Sequence, residues 1–233
     1  MRVKAVIWDY DGTLVDTRRK NLIVSRAIIS KVSRKSFEEF PALVSLENYE
    51  KANLRAKNWQ ALYREEFGFT QEETDYAGSL WTEYQLLDTT QTEVFEGIAE
   101  TLKALENIPH GIVSQNSHQN IRKNLKQFGL DGFFDPIIGY EEVGYENQKP
   151  HPEGLLFCIS RMVDLSENDL IIYIGDHETD AQCAFYANQK LATKQVVSVG
   201  AMYDKADLSG RWKFRPDHIA TKTLDIVEIV SKV

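Results

Sequence analysis

Short continuous apolar runs alternate along this chain with longer stretches in which apolar residues recur every three or four positions. The short runs, residues 3–8, 111–114, 135–139, 170–175 and 195–200, predict strands buried on both faces. Helical spacing marks residues 95–106, 118–128, 152–163 and 179–188. Pro152 at one helix start, and Asp176 or Thr179 ahead of the next, fit N-terminal preferences. Strands that alternate with helices predict an α/β domain with a parallel sheet covered on both faces.

One segment breaks the alternation. Between about Arg18 and Leu87 the pattern predicts helix after helix, over residues 18–32, 46–67 and 71–86, with no strand. Trp59, Tyr63 and Phe67 stand at helical spacing, which predicts core packing ahead of a binding stripe. The segment is thus an all-helical insert between the first strand and the next. The polar run Asp88-Thr89-Thr90-Gln91-Thr92 suits an exposed linker. The expected division is residues 1–16 with 94–233 as the α/β core and 17–93 as the helical domain.

Bulk properties narrow the function classes. A chain of 233 residues is one large domain or two modest ones, with enough length for a substantial core. Its 35 acidic and 27 basic side chains give a net charge of −8. That disfavours a nucleic-acid partner, because binding a phosphate backbone needs clustered Lys and Arg. The basic stretch at 211–215 reads as a solvated loop. Cys158 and Cys183 lie among apolar residues in helical patterns, without metal-ligand spacing. Buried free thiols and a reducing, cytoplasmic setting are therefore expected. Residues 1–8 are too short for a signal sequence, and no run of about 18 apolar residues is present to span a membrane.

The candidate chemistry follows the predicted strands. Asp9-Tyr10-Asp11-Gly12-Thr13-Leu14 comes straight after the first apolar run. Carboxylates two apart on a strand point to opposite faces. Gly12 breaks the strand, however, so both acids can turn into a loop at the edge where open α/β sheets bind ligands. Such a pair suits a divalent cation and a phosphate, although an ordinary acidic turn has the same composition. Gly111-Ile112-Val113-Ser114-Gln115-Asn116 closes an apolar run on a hydroxyl. Ser114 can bind phosphoryl oxygens or merely cap the helix near His118. Lys149-Pro150-His151-Pro152 offers a compact cation suited to phosphate charge. Asp176 and Asp180, four apart after another strand, can share one face of a first helical turn as metal ligands, or only answer the helix dipole. His177 has no His or Cys partner at zinc-ligand spacing.

In this order and at these distances, the four segments resemble the haloacid dehalogenase superfamily, in particular phosphatases similar to phosphoglycolate phosphatase. The resemblance runs from Asp9 to Asp180 and covers essentially the whole chain. It implies a Rossmann-like core with a mobile helical cap closing over the site, hinged near Asp16-Thr17 and residues 87–93. It also implies residue roles. Asp9 would be the nucleophile and Asp11 the general acid and base. Ser114, Gln115 and Lys149 would bind phosphate. Asp9, the Asp11 carbonyl and Asp176 would hold Mg²⁺, with Asp180 orienting ligands from behind. The family often has Asn directly after its Thr or Ser, whereas this chain has Gln115 there, so any role of Asn116 stays open. The implied activity is Mg²⁺-dependent hydrolysis of a small phosphorylated metabolite through an aspartyl-phosphate. A phosphomutase would share every core residue. A non-catalytic phosphate-binding regulator would be expected to have lost some of them, and a dehalogenase would lack Asp11. Arg18, Arg19, Lys51 and Arg55 in the insert can meet an anionic substrate or simply be solvated.

Overall fold

The computed structural model describes residues 1–56, 58–191, 195–203, 210 and 212–233. The chain divides into two compact units, one made of Met1–Val15 with Val94–Val233 and the other of Asp16–Glu93. Strand β1 (Arg2–Trp8) opens the first unit. Strands β2 (Val15–Asp16) and β3 (Glu93–Val94) pair where the chain leaves that unit and returns to it. β2 sits one residue earlier than the hinge expected at Asp16-Thr17, and β3 overlaps only the last residue of the hinge expected over 87–93. Strands β4 (His110–Val113), β5 (Phe134–Ile138), β6 (Asp169–Gly175), β7 (Val196–Ala201) and β8 (His218–Ala220) complete a parallel sheet with β1, in the order β5-β4-β1-β6-β7-β8.

The second unit is built on helices α1 (Arg18–Ser33), α2 (Leu46–Arg55), α3 (Trp59–Phe67) and α4 (Gln71–Leu87). The single helix expected over residues 46–67 is in fact two. Ala56 is extended (ψ 139°), and the Asn58 side chain accepts from Ala61 N–H at 2.8 Å to start α3 afresh. An N-cap residue with its own backbone donor to satisfy outweighs the apolar periodicity that runs across it. Lys57, between the two helices, lies outside the described residues. The four helices enclose their own core, with Leu22 and Ile28 of α1, Tyr49 of α2, Leu62 and Phe67 of α3 and Ala77 of α4 all buried. Tyr63 and Phe67 meet edge to face at 5.4 Å, so the aromatic spacing is core packing.

Helices α5 (Ile98–Ala104), α6 (His118–Phe128), α7 (Tyr140–Val143), α8 (Glu153–Met162), α9 (Glu178–Leu191) and α10 (Asp225–Lys232) complete the first unit. Alternation along β1 sends successive side chains into two different cores. Val6 and Trp8 pack with Leu102 of α5, Ile121 of α6 and Ile226 of α10. Ala5 and Ile7 pack with Leu155 and Cys158 of α8 and with Cys183 of α9. The sheet is thus covered on both faces, which is why its strands read as unbroken apolar runs. Burial pushes the Cys183 thiol up to about 12, as befits an inert core group. β8 and α10 lie beyond the predicted elements. Of the basic stretch at 211–215, Arg211 lies outside the described residues.

Register fixes the working edge. Trp8 aligns with Ile112 of β4 and Ile174 of β6, so three central strands end level with one another. The residues that follow them emerge together at the C-terminal edge.

One polar pair crosses the sheet interior. Trp8 Nε1 donates to His110 Nδ1 at 3.0 Å, and His110 Nε2 faces the Leu105 carbonyl at 3.3 Å. Burial pushes this imidazole down from 6.5 to about 4. Between those values the unfolded chain takes up a proton that the folded chain does not, so stability is full above pH 6.5 and falls as pH drops toward 4. Urea unfolding at about pH 7 and about pH 4.5 should show wild type losing roughly 2 kcal/mol more than His110→Gln. Equal losses in the two proteins would rule out a buried neutral His110.

Candidate active site

Asp9 is the first residue beyond β1 and is only 5% exposed; its N–H donates to the Ile174 carbonyl at 2.7 Å. That bond locks the turn after β1 to the last residues of β6. The turn then doubles back at Gly12, which has φ +79°. A Cβ on Gly12 would lie 2.2 Å from Asp176 Oδ2. Glycine is therefore what allows the Asp176 carboxylate to close on the Asp9 loop. Gly175 does the same for Asp180, whose Cγ would stand 2.2 Å from a Cβ there.

Lys149 reaches this point from the loop before α8. Its ammonium donates to Asp9 Oδ1 at 2.5 Å and to Asp180 Oδ1 at 2.7 Å, with all three side chains buried. Asp180 is held further by the Tyr173 hydroxyl at 3.1 Å and by His177 N–H, which donates to Oδ2 at 3.1 Å. Asp9, Asp176 and Asp180 each place an oxygen within 4.8 Å of the others. Within this cluster three carboxylates face one ammonium, a net of two negative charges when all are ionised. Burial pushes Asp9 well above the ordinary carboxylate range; Lys149 opposes this, while Asp180 and Asp176 add to it. Burial also pulls the Lys149 ammonium down, but Asp180 and then Asp9 outweigh it and hold the group charged. A small, hard divalent cation fits this donor set, because it takes carboxylate oxygens and brings positive charge to an acidic cluster.

Asp11 is placed differently. Asn116 Nδ2 donates to both its oxygens, at 3.0 and 3.3 Å. Ser114, buried at the end of β4, accepts from Asn116 N–H at 3.1 Å through its hydroxyl. The cap of α6 is Ser117, which accepts from Asn120 N–H at 3.1 Å, so Ser114 does not serve that helix. Gln115 turns its amide to the Lys149 carbonyl at 3.2 Å and so braces the lysine backbone.

Asp9, Lys149, Asp176 and Asp180 thus converge in one cluster, and Ser114, Gln115 and Asp11 attach to it through β4 and the loop after it. Three contributors escaped the sequence reading. Thr13 faces Asp9 Oδ2 at 3.5 Å. Tyr173 hides as the one hydroxyl within an apolar strand. Asn116 carried a signal, two residues after Ser114 and just before a Ser N-cap.

The chain compares with known proteins over its full length. The haloacid dehalogenase-like hydrolase family matches residues 6–194. A protein named pyrophosphatase PpaX from Listeria monocytogenes is 25% identical over 232 residues, covering 98% of this chain and 97% of that one. Its namesake from Bacillus mycoides is 26% identical, covering 100% and 99%. Among solved structures, a putative haloacid dehalogenase-like hydrolase from Bacteroides fragilis superposes with TM-score 0.77 at 22% identity, over 97% of this chain and 100% of that one. A predicted phosphoglycolate phosphatase from Haemophilus somnus gives 0.74 at 19%, over 98% of each chain.

Removing Lys149 would leave Asp9 and Asp180 buried without their counter-charge. Lys149→Met should therefore cost about 3–5 kcal/mol in metal-free urea unfolding. A cost below about 1 kcal/mol would mean that the lysine does not hold the cluster together.

Proposed function

The chain belongs to the haloacid dehalogenase-like hydrolase family, and from that premise we propose that it is a Mg²⁺-dependent phosphatase of a small phosphorylated substrate. The observation that carries this reading is the buried Asp9–Lys149–Asp180 chain with Asp176 beside it, a nucleophile already paired with the cation that a phosphoryl group needs.

In this reading the Asp9 carboxylate attacks phosphorus, the bond to the leaving oxygen breaks, and Asp11 gives that oxygen its proton. Water then attacks the phosphorus of the aspartyl-phosphate, Asp11 takes a proton from it, and Asp9 departs as carboxylate. Lys149 and the Ser114 hydroxyl meet the phosphoryl oxygens. Asp9, the Asp11 carbonyl and Asp176 hold Mg²⁺, which supplies positive charge against the phosphoryl oxygens. Asp180 keeps Lys149 and the β6 loop in place, consistent with both its oxygens already accepting from protein donors. The relatives named pyrophosphatase add pyrophosphate to the candidate substrates, beside phosphoglycolate and other small phosphate monoesters. The unit Asp16–Glu93 leaves the chain soon after Asp11 and returns before α5, and we take it to be a cap that sets substrate choice and excludes water on closing.

Asp9→Asn should lower kcat for p-nitrophenyl phosphate by ~10⁴ or more while leaving the thermal melt of a folded protein. Retention of a tenth of wild-type activity would remove Asp9 from the nucleophile role. Activity should vanish in EDTA, return with Mg²⁺ and fail with Ca²⁺, whose larger and looser shell can take both Asp9 oxygens. Full turnover after metal removal, confirmed by elemental analysis, would end the metal assignment.

A further inference from the structure

Asn116 is not needed to hold a phosphate or a metal in the scheme above, yet it is 3% exposed and committed at every polar atom. Its orientation is fixed from behind. Oδ1 accepts from Ser117 N–H at 2.8 Å and from Asn120 Nδ2 at 3.1 Å. The backbone donor can be answered only by the amide oxygen, so Nδ2 must face the other way. There it donates to both oxygens of Asp11. Its own N–H is tied to Ser114 Oγ. The amide is a rigid strut running from the first turn of α6 to the Asp11 carboxylate. Asp11 itself is half-buried in the loop after β1, where its backbone bridges to Val15.

We propose that Asn116 is the residue that positions Asp11 for proton transfer, with Asn120 and the Ser117 N–H anchoring it to α6. This rests on the phosphatase reading, in which Asp11 protonates the leaving oxygen. Proton transfer demands heavy-atom contact within hydrogen-bond reach of the leaving oxygen, so a carboxylate free to swing loses most of its value. The need for that proton depends on the substrate. An alkoxide is a poor leaving group and requires it; p-nitrophenolate departs without it.

The test is kcat/KM for glycerol 2-phosphate and p-nitrophenyl phosphate, which for each substrate reports the step that expels the leaving group. In Asn116→Ala the glycerol 2-phosphate value should fall by about 10²-fold and the p-nitrophenyl phosphate value by less than about threefold. A structural defect would lower both alike. Asn116→Ser should give the same split: its hydroxyl can still accept from Ser117 N–H but is too short to reach Asp11, and it decides the matter if the alanine variant does not fold. Asp9→Asn, assayed in parallel, should abolish turnover of both esters. Equal losses on both esters in the Asn116 variants, or no loss on either, would overturn the positioning role while leaving the nucleophile assignment untouched. Activity surviving in Asp9→Asn would overturn the nucleophile assignment, and a wild type inactive on both esters would overturn the phosphatase reading itself.

Discussion

The site depends on one buried ammonium. Lys149 lies between Asp9 and Asp180, and among the described residues it is the cation that pairs with both. Two carboxylates this deep would be driven to neutrality by desolvation and mutual repulsion. The lysine lets the nucleophile candidate sit buried, close to Asp176 and in one orientation. The arrangement also explains why so much of the surrounding detail concerns Lys149 and its partners. Gln115 braces its backbone, Tyr173 and His177 fix Asp180, and Gly175 leaves room for Asp180 to come in close.

That constraint is delivered by the sheet. Level ends of β1, β4 and β6 bring residues far apart in sequence to one edge, and each arrives on a different loop. The chemistry divides along the same lines. The loops after β1 and β6 supply the acidic cluster, whereas the loop after β4 supplies the hydroxyl and the strut that reaches Asp11. Gly12 lets the loop after β1 turn so that Asp176 can close on it.

Much of this was legible in the sequence for a physical reason. Strands buried on both faces must be apolar throughout, so β1, β6 and β7 stood out, and polar residues directly after them could be read as edge chemistry. Legibility failed where the deciding contact was local or hidden. The α2–α3 break turns on a single side chain, Asn58, satisfying a single N–H. Tyr173 serves Asp180 from inside a strand whose composition advertises only burial. Asn116 bonds to a residue 105 positions away, which no spacing rule links to it. β8, three residues long, carries too little pattern to register.

The central claim is that the phosphoryl group passes through Asp9 instead of going directly to water. Stereochemistry at phosphorus tests this without depending on how long an intermediate survives. Turnover of a phosphate ester made chiral with oxygen isotopes, with transfer of the phosphoryl group to an acceptor alcohol, should proceed with net retention. Two in-line displacements each invert the centre, so a covalent enzyme intermediate restores it. Net inversion would mean a single direct displacement and would contradict the account.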